Sequence, residues 1–144
     1  MKILVINGPN LDMLGKRDPI HYGTLTLNQL NKQVSLYAKK SGFKTTFFQS
    51  NCEGAIITAI THSKCDAIIL NAGAYSHTSY AIKDAIECCQ KFVVEVHLSD
   101  VSNREDFRKI RVFEQVTKGY FYGKKTQSYL DAVDFIKEEL LNEK

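Results

Sequence analysis

Apolar and polar residues along this chain alternate between two rhythms. Lys2 to Asn7 holds an unbroken Ile-Leu-Val-Ile run, the mark of a short strand covered on both faces. Gly8-Pro9-Asn10 breaks it, and from Leu11 to Gly23 no period is visible. Thr26-Leu27-Asn28-Gln29 then forms a capping-box pattern. Leu27, Leu30, Val34, Tyr37 and Ala38 follow at helical spacing, and Gly42 marks the stop. Phe43 to Gln49 is a second strand. Ser50-Asn51-Cys52-Glu53 suggests another capping box, opening a helix with Ile56, Ile57 and Ile60 that runs to about Lys64. Ala67 to Leu70 is a third strand. The helix from about Ser79 buries Ile82, Ala85, Ile86 and Cys89, and Phe92 to Val96 is a fourth strand. Ser102-Asn103-Arg104-Glu105 suggests a third box and a short helix to about Lys109. Tyr120-Phe121-Tyr122 is a fifth strand, and a last helix from about Gln127 to Leu141 carries Leu130, Val133, Ile136 and Leu140 on one face.

This strict β-α alternation predicts a single α/β domain over residues 1–144, with a doubly wound parallel sheet in the flavodoxin-like order 2-1-3-4-5. In open α/β sheets ligands bind outside the carboxyl ends of the strands. Strand one ends in Asn7-Gly8-Pro9-Asn10, strand three in Asn71-Ala72-Gly73, and strand four in Glu95-Val96-His97-Leu98-Ser99. The turn from Asn71 to Ser79 is the first candidate for a site, with Asn71 and His77 as its polar groups. Glu95 and His97, two apart in a strand, share a face. A carboxylate there can hold an imidazole in one tautomer and support its charged form.

Composition narrows the function. The 144 residues are 44% apolar and 24% charged, ordinary for a globular domain. A net charge of +3, with charges interspersed, argues against a nucleic-acid partner. No apolar run approaches the roughly 20 residues of a membrane span, and the apolar run at the start is too short for a signal peptide. A cytoplasmic location is expected. Cys52, Cys65, Cys88 and Cys89 lack metal-site spacing and are expected to be reduced and mostly buried. The strand ends lack the acidic cluster of a receiver domain and the phosphate loop of a flavodoxin. No dinucleotide or P-loop fingerprint is present, and Gly123-Lys124-Lys125-Thr126 matches one only superficially.

The motifs in order are Ile6-Asn7-Gly8-Pro9-Asn10-Leu11, Leu14-Gly15-Lys16-Arg17-Asp18-Pro19, Tyr22-Gly23, Gln49-Ser50-Asn51, Glu53-Gly54, Leu70-Asn71-Ala72-Gly73-Ala74, Ser76-His77-Thr78-Ser79, Asp84-Ala85 and Glu95-Val96-His97-Leu98-Ser99. Together, over residues 1 to about 108, the chain resembles the type II 3-dehydroquinate dehydratases. The resemblance implies reversible dehydration of 3-dehydroquinate to 3-dehydroshikimate, a step of the shikimate route to aromatic amino acids, with no metal and no organic cofactor. It implies Tyr22 as base, Arg17 as the cation favouring its phenolate, and Asn10 as holder of a water against the enolate oxygen. His97 would be the general acid, with Glu95 behind it. Substrate binding would fall to Asn71, His77, Leu98, Ser99 and Arg108, and Asp84 would reach a neighbouring subunit's site. The 17–23 loop would be a lid hinged at Gly15 and Gly23, and the assembly a homododecamer built of trimers. Arg104 is read as structural.

Past Arg108 the chain departs from the family. Lys109-Ile110-Arg111 stands where a serine usually comes soon after the arginine, and only the first glycine of a G-x-G-x-x-G-Tyr run is kept, as Gly123. Asp100 stands where asparagine is more usual. These changes bear on the late loop, the last strand, subunit contacts and Arg108. The competing reading is a catalytically silent binding or regulatory protein on the same fold.

Overall fold

The computed structural model describes residues 1–141. Five strands, β1 (Lys2–Asn7), β2 (Lys44–Gln49), β3 (Ala67–Asn71), β4 (Phe92–Val96) and β5 (Gly119–Phe121), form one parallel sheet in the order β2-β1-β3-β4-β5. The expected topology is the one observed. The α-helices are α1 (Pro19–Tyr22), α2 (Leu27–Lys40), α3 (Glu53–His62), α4 (Tyr80–Cys89) and α5 (Thr126–Leu141). Helices α2 and α5 cover one sheet face, on Ile3, Val5, Ile69, Val94 and Val96; α3 and α4 cover the other, on Leu4, Ile6, Ile68 and Leu70. The period of two along each strand deals successive residues to the two layers, so the three central strands are apolar except for Lys2 and for Asn7, Asn71 and Glu95 near their carboxyl ends.

Register brings the strand ends level. Asn7 pairs with Gln49 on one side and Asn71 on the other, and Leu70 pairs with Glu95. The Asn7 side chain is joined to Asn71 through Tyr129 of α5, whose hydroxyl donates to Asn7 Oδ1 (2.5 Å) and accepts from Asn71 Nδ2 (3.0 Å). Gly8 is the close-approach residue here: a Cβ on it would lie 2.7 Å from the Ala72 carbonyl.

Several local expectations give way to stronger partners. The aperiodic segment 11–23 is not all loop: a 3-10 turn spans Leu11–Met13, and Pro19–Tyr22 is one helical turn capped by Asp18 Oδ1 on the Ile20 N–H (2.9 Å). The Thr26 capping box is present, and the helix expected from about Ser79 begins at Tyr80 with Ser79 as its cap. The box at Ser50 is absent. Its helix begins at Glu53 after Cys52, Ser50 Oγ accepts from the Cys52 N–H, and Glu53 takes the Ser79 hydroxyl at 2.6 Å instead of closing a box. The box at Ser102 is absent too. Asp100 captures the Ser102 N–H and hydroxyl and the Asn103 amide, splitting the segment into 3-10 turns at Val101–Asn103 and Asp106–Lys109.

The four cysteines are free but not buried as expected: Cys52 and Cys88 are exposed, and Cys65 and Cys89 are half-buried. Cys88 falls on the outer side of α4, while Cys52 precedes a helix at the surface. In the altered late run, Lys125 keeps a left-handed backbone (φ 53°) where the family pattern has glycine. The second missing glycine is Ser128, fully buried, whose hydroxyl accepts the Lys124 N–H. No helix among the described residues is long and apolar enough to cross a membrane, and none of their His, Cys, Asp and Glu side chains cluster in groups of three or more suited to a metal.

Candidate active site

The carboxyl ends of β1, β3 and β4 open into one cleft. Asn10, Arg17, Tyr22, Asn71, His77, His97, Leu98, Ser99 and Arg108 all line it. Glu95 is buried behind His97, and Asp84 is exposed on α4, outside the cleft of its own chain.

Tyr22 ends the one-turn helix α1, which Pro19 at its first position and the Asp18 cap pre-organise. Its ring lies under the Arg17 guanidinium, 3.6 Å from Cζ to the ring centroid. Its hydroxyl accepts from Arg104 Nη1 at 2.5 Å. Arg104, expected to be structural, is thus part of the cleft and also donates to Ser99 Oγ (3.3 Å). Asp100 is the reason: by capping the preceding turn it leaves Arg104 in an extended conformation (φ −115°, ψ −166°) between two 3-10 turns, free to reach back over the site. Burial, reinforced by Arg104 and Arg108, holds the Arg17 guanidinium below its usual value against the opposing pull of Tyr22. Three arginines lining one cleft suit an anionic ligand.

In the same cleft, His97 Nε2 bonds Glu95 Oε2 at 2.7 Å, both side chains being almost wholly buried. An ionised carboxylate only accepts, so Nε2 carries a hydrogen and Nδ1 is the atom left for chemistry. His77 stacks on His97, centroids 6.0 Å apart and planes within 15°. Its Nδ1–H donates to the Ile110 carbonyl (2.8 Å), which leaves Nε2 as an acceptor. Burial pushes the His77 imidazole below its ordinary value, and His97 and Arg108 add to this, opposed by the Ile110 carbonyl and Glu95. A neutral acceptor is the form suited to a ligand hydroxyl.

Asn71 is more committed than its strand-end position suggests. Nδ2 donates to Tyr129 and Oδ1 accepts the Gly73 N–H (3.2 Å), so one amide hydrogen and one lone pair remain. Asn10 sits in the left-handed region (φ 69°), its N–H donated to Asn51 Oδ1 (3.0 Å). Asparagine tolerates that conformation, and it keeps the Asn10 side chain at the cleft. Arg108 donates from Nε to Glu105 (3.1 Å) yet lines the cleft, so it is both a surface ion pair and a wall residue. Tyr129 and Arg104 are the site-building residues the sequence reading missed. A buried tyrosine on a helix reads as core, and nothing in its spacing signals the two amides it joins.

The comparisons with known proteins agree. The family model described as dehydroquinase class II matches residues 1–137. A 3-dehydroquinate dehydratase of Clostridium botulinum is 46% identical, covering 99% of this chain and 98% of the relative. One of Thermotoga maritima is 42% identical, with 97% of each chain covered. The crystal structure of the type II dehydroquinase from Butyrivibrio crossotus superposes with a TM-score of 0.90 at 42% identity, over 94% of this chain and 97% of that one. Sheet order, cleft and whole-length similarity lead to one conclusion: this chain belongs to the class II dehydroquinase family.

Proposed function

We propose that the chain dehydrates 3-dehydroquinate to 3-dehydroshikimate through an enolate, with Tyr22 as base and His97 as acid. The observation that carries the reading is the pairing of a phenol held by two arginines with an imidazole held by a buried carboxylate, both lining one cleft. The Tyr22 phenolate takes the proton α to the ketone. The enolate oxygen is met by a water held on Asn10, a stabilisation aimed at charge that develops only during reaction. The enolate then collapses to the conjugated enone and the β-hydroxyl leaves as water, protonated from His97 Nδ1. Tyr22 ends neutral and His97 ends as neutral imidazole, so one proton is gained and one lost. Residual hydrogen-bonding capacity on Asn71 and the free Nε2 of His77 suit the ring hydroxyls. Ser99, the Leu98–Ser99 turn and Arg108 suit the carboxylate. The chemistry of enolisation asks for no metal or organic cofactor.

Gly15 and Gly23 both hold left-handed backbones (φ 92° and 75°) and flank the Arg17–Tyr22 segment, which supports a lid that closes over substrate and excludes water. We propose further that the enzyme works in the cytosol, in the shikimate route, as a homododecamer (a tetramer of trimers) in which exposed Asp84 approaches a neighbour's cleft. Sedimentation velocity tests the assembly.

The direct test mixes protein with 3-dehydroquinate and monitors the ultraviolet absorbance of the enone. Turnover at neutral pH is expected, and a Tyr22→Phe variant should lose at least about 100-fold in kcat, the usual worth of a general base. No signal at any neutral pH would favour a silent binding protein that keeps the cleft. Unchanged turnover in Tyr22→Phe would remove the base assignment alone.

A further inference from the structure

We propose that Arg111 is a positioning residue for the proton-donating step: it holds the charge of the buried Glu95 carboxylate so that His97 can release its proton. This rests on the proposed role of His97 as acid.

Glu95 sits near the carboxyl end of β4, 1% exposed, between Val94 and Val96. Oε2 takes the His97 bond, and Oε1 has no hydrogen-bond partner among the described residues. What faces Oε1 is Arg111 Nη2, at 3.6 Å. The guanidinium lies over the Tyr120 ring, its Cζ 3.5 Å from the centroid, and Nη1 is 3.7 Å from Glu114. Tyr120 is an uncharged platform: burial, and then Glu95 itself, push its phenol up, and its ring meets His97 edge-on at 5.9 Å. The backbone is pinned on both sides of Arg111, by the Ile110 carbonyl on His77 Nδ1 and by the Val112 N–H on the Ser76 carbonyl (3.1 Å). The segment that departs from the family pattern is therefore the rear wall of the site, and its arginine stands where the family usually has serine nearby.

The charge balance gives Arg111 its task. Before proton transfer, imidazolium and carboxylate neutralise each other. Once His97 has given its proton to the leaving hydroxyl, Glu95 faces a neutral ring in a place shut off from water. A buried carboxylate in that state needs a counter-ion, and Arg111 supplies it. Without Arg111 the pair holds its proton more tightly and donates it more slowly. Substrate contacts are untouched, since Arg111 lies behind Glu95 and outside the cleft lining.

The test is steady-state kinetics on the full chain with 3-dehydroquinate. Arg111→Met should lower kcat about tenfold, or about 1.4 kcal/mol in the barrier, with KM within twofold. Arg111→Lys should recover most of the loss, because it restores charge without the planar fork. In a Glu95→Gln background Arg111→Met should have no further effect. The alkaline limb of the kcat profile should move to higher pH in Arg111→Met, since removing a cation makes the Glu95–His97 pair keep its proton longer. The other groups facing the pair do not carry this change: His77 and Tyr120 are held neutral, Glu114 is exposed on the far side of Arg111, and Arg108 remains. Should Arg111→Met fail to fold, Arg111→Gln against Arg111→Lys makes the same comparison. Wild-type turnover with an unshifted limb in Arg111→Met or Arg111→Gln would overturn the inference and leave the dehydratase reading intact. Absence of turnover in the wild type would overturn the dehydratase reading, and this inference with it.

Discussion

Replacing Tyr129 by phenylalanine removes one oxygen atom and, with it, two buried hydrogen bonds. The ring is 0% exposed, so its packing survives the change. The lost hydroxyl leaves Asn71 Nδ2 without its acceptor and Asn7 Oδ1 without its donor, both in side chains that are almost fully buried. Each orphaned buried group costs about 1–3 kcal/mol. Asn7 and Asn71 are direct partners in the β1–β3 register, so the two amides can turn toward each other and recover part of the loss. The net expectation is a destabilisation of about 2–4 kcal/mol. At about 2.1 cal/mol/K per residue of unfolding entropy, a chain of this length should lose about 7–13 °C in Tm. The assay is urea unfolding at pH 7 and matched protein concentration, monitored by circular dichroism, with a thermal scan beside it. Catalysis should fall as well, and mainly through KM, because Asn71 loses what orients it. A loss below about 0.5 kcal/mol at unchanged m value, a small fraction of one orphaned group, would refute the claim that the hydroxyl organises the strand ends.

Three further substitutions probe other parts of the molecule. Gly8→Ala sets a Cβ 2.7 Å from the Ala72 carbonyl, a backbone contact that must yield; a loss of about 1–3 kcal/mol and a drop in kcat/KM are expected, checked by denaturant unfolding and the enone assay. Gln90→Gly relieves a left-handed residue (φ 54°) at the end of α4, far from the cleft, and should stabilise by about 1 kcal/mol with unchanged kcat, checked by thermal unfolding. His77 is held below its ordinary value by burial, so between the unfolded value near 6.5 and the lower folded one the unfolded chain binds more protons. Stability should therefore fall as pH drops through that window, by up to about 1.4 kcal/mol per pH unit, and His77→Gln should flatten the slope in urea unfolding at pH 7.5 and 5.5.

Fold and site were not equally open to sequence reading. The capping box at Thr26 was legible because its bonds are made within one turn, where no distant partner competes. The boxes suggested at Ser50 and Ser102 failed for the opposite reason. Glu53 finds the Ser79 hydroxyl, 26 residues away, and Asp100 displaces the intended cap. The segment 11–23 hid its helical turn because a four-residue helix has too few positions to show a period. The cysteines misled because burial was inferred from residue type, whereas position on the helix decides it.

Strand order, strand ends and the facing of Glu95 and His97 come from the chain alone, since a period of two and β-α alternation leave few topologies. Arg104, Arg111 and Tyr129 do not. A long side chain in an aperiodic segment can point many ways, and its direction is chosen by partners distant in sequence: Tyr22 for Arg104, 82 positions away, and Asn7 for Tyr129, 122 positions away. Local pattern determined which backbone ends meet. The charges and hydroxyls that converge on them were decided only when the sheet closed and the late segment packed behind it.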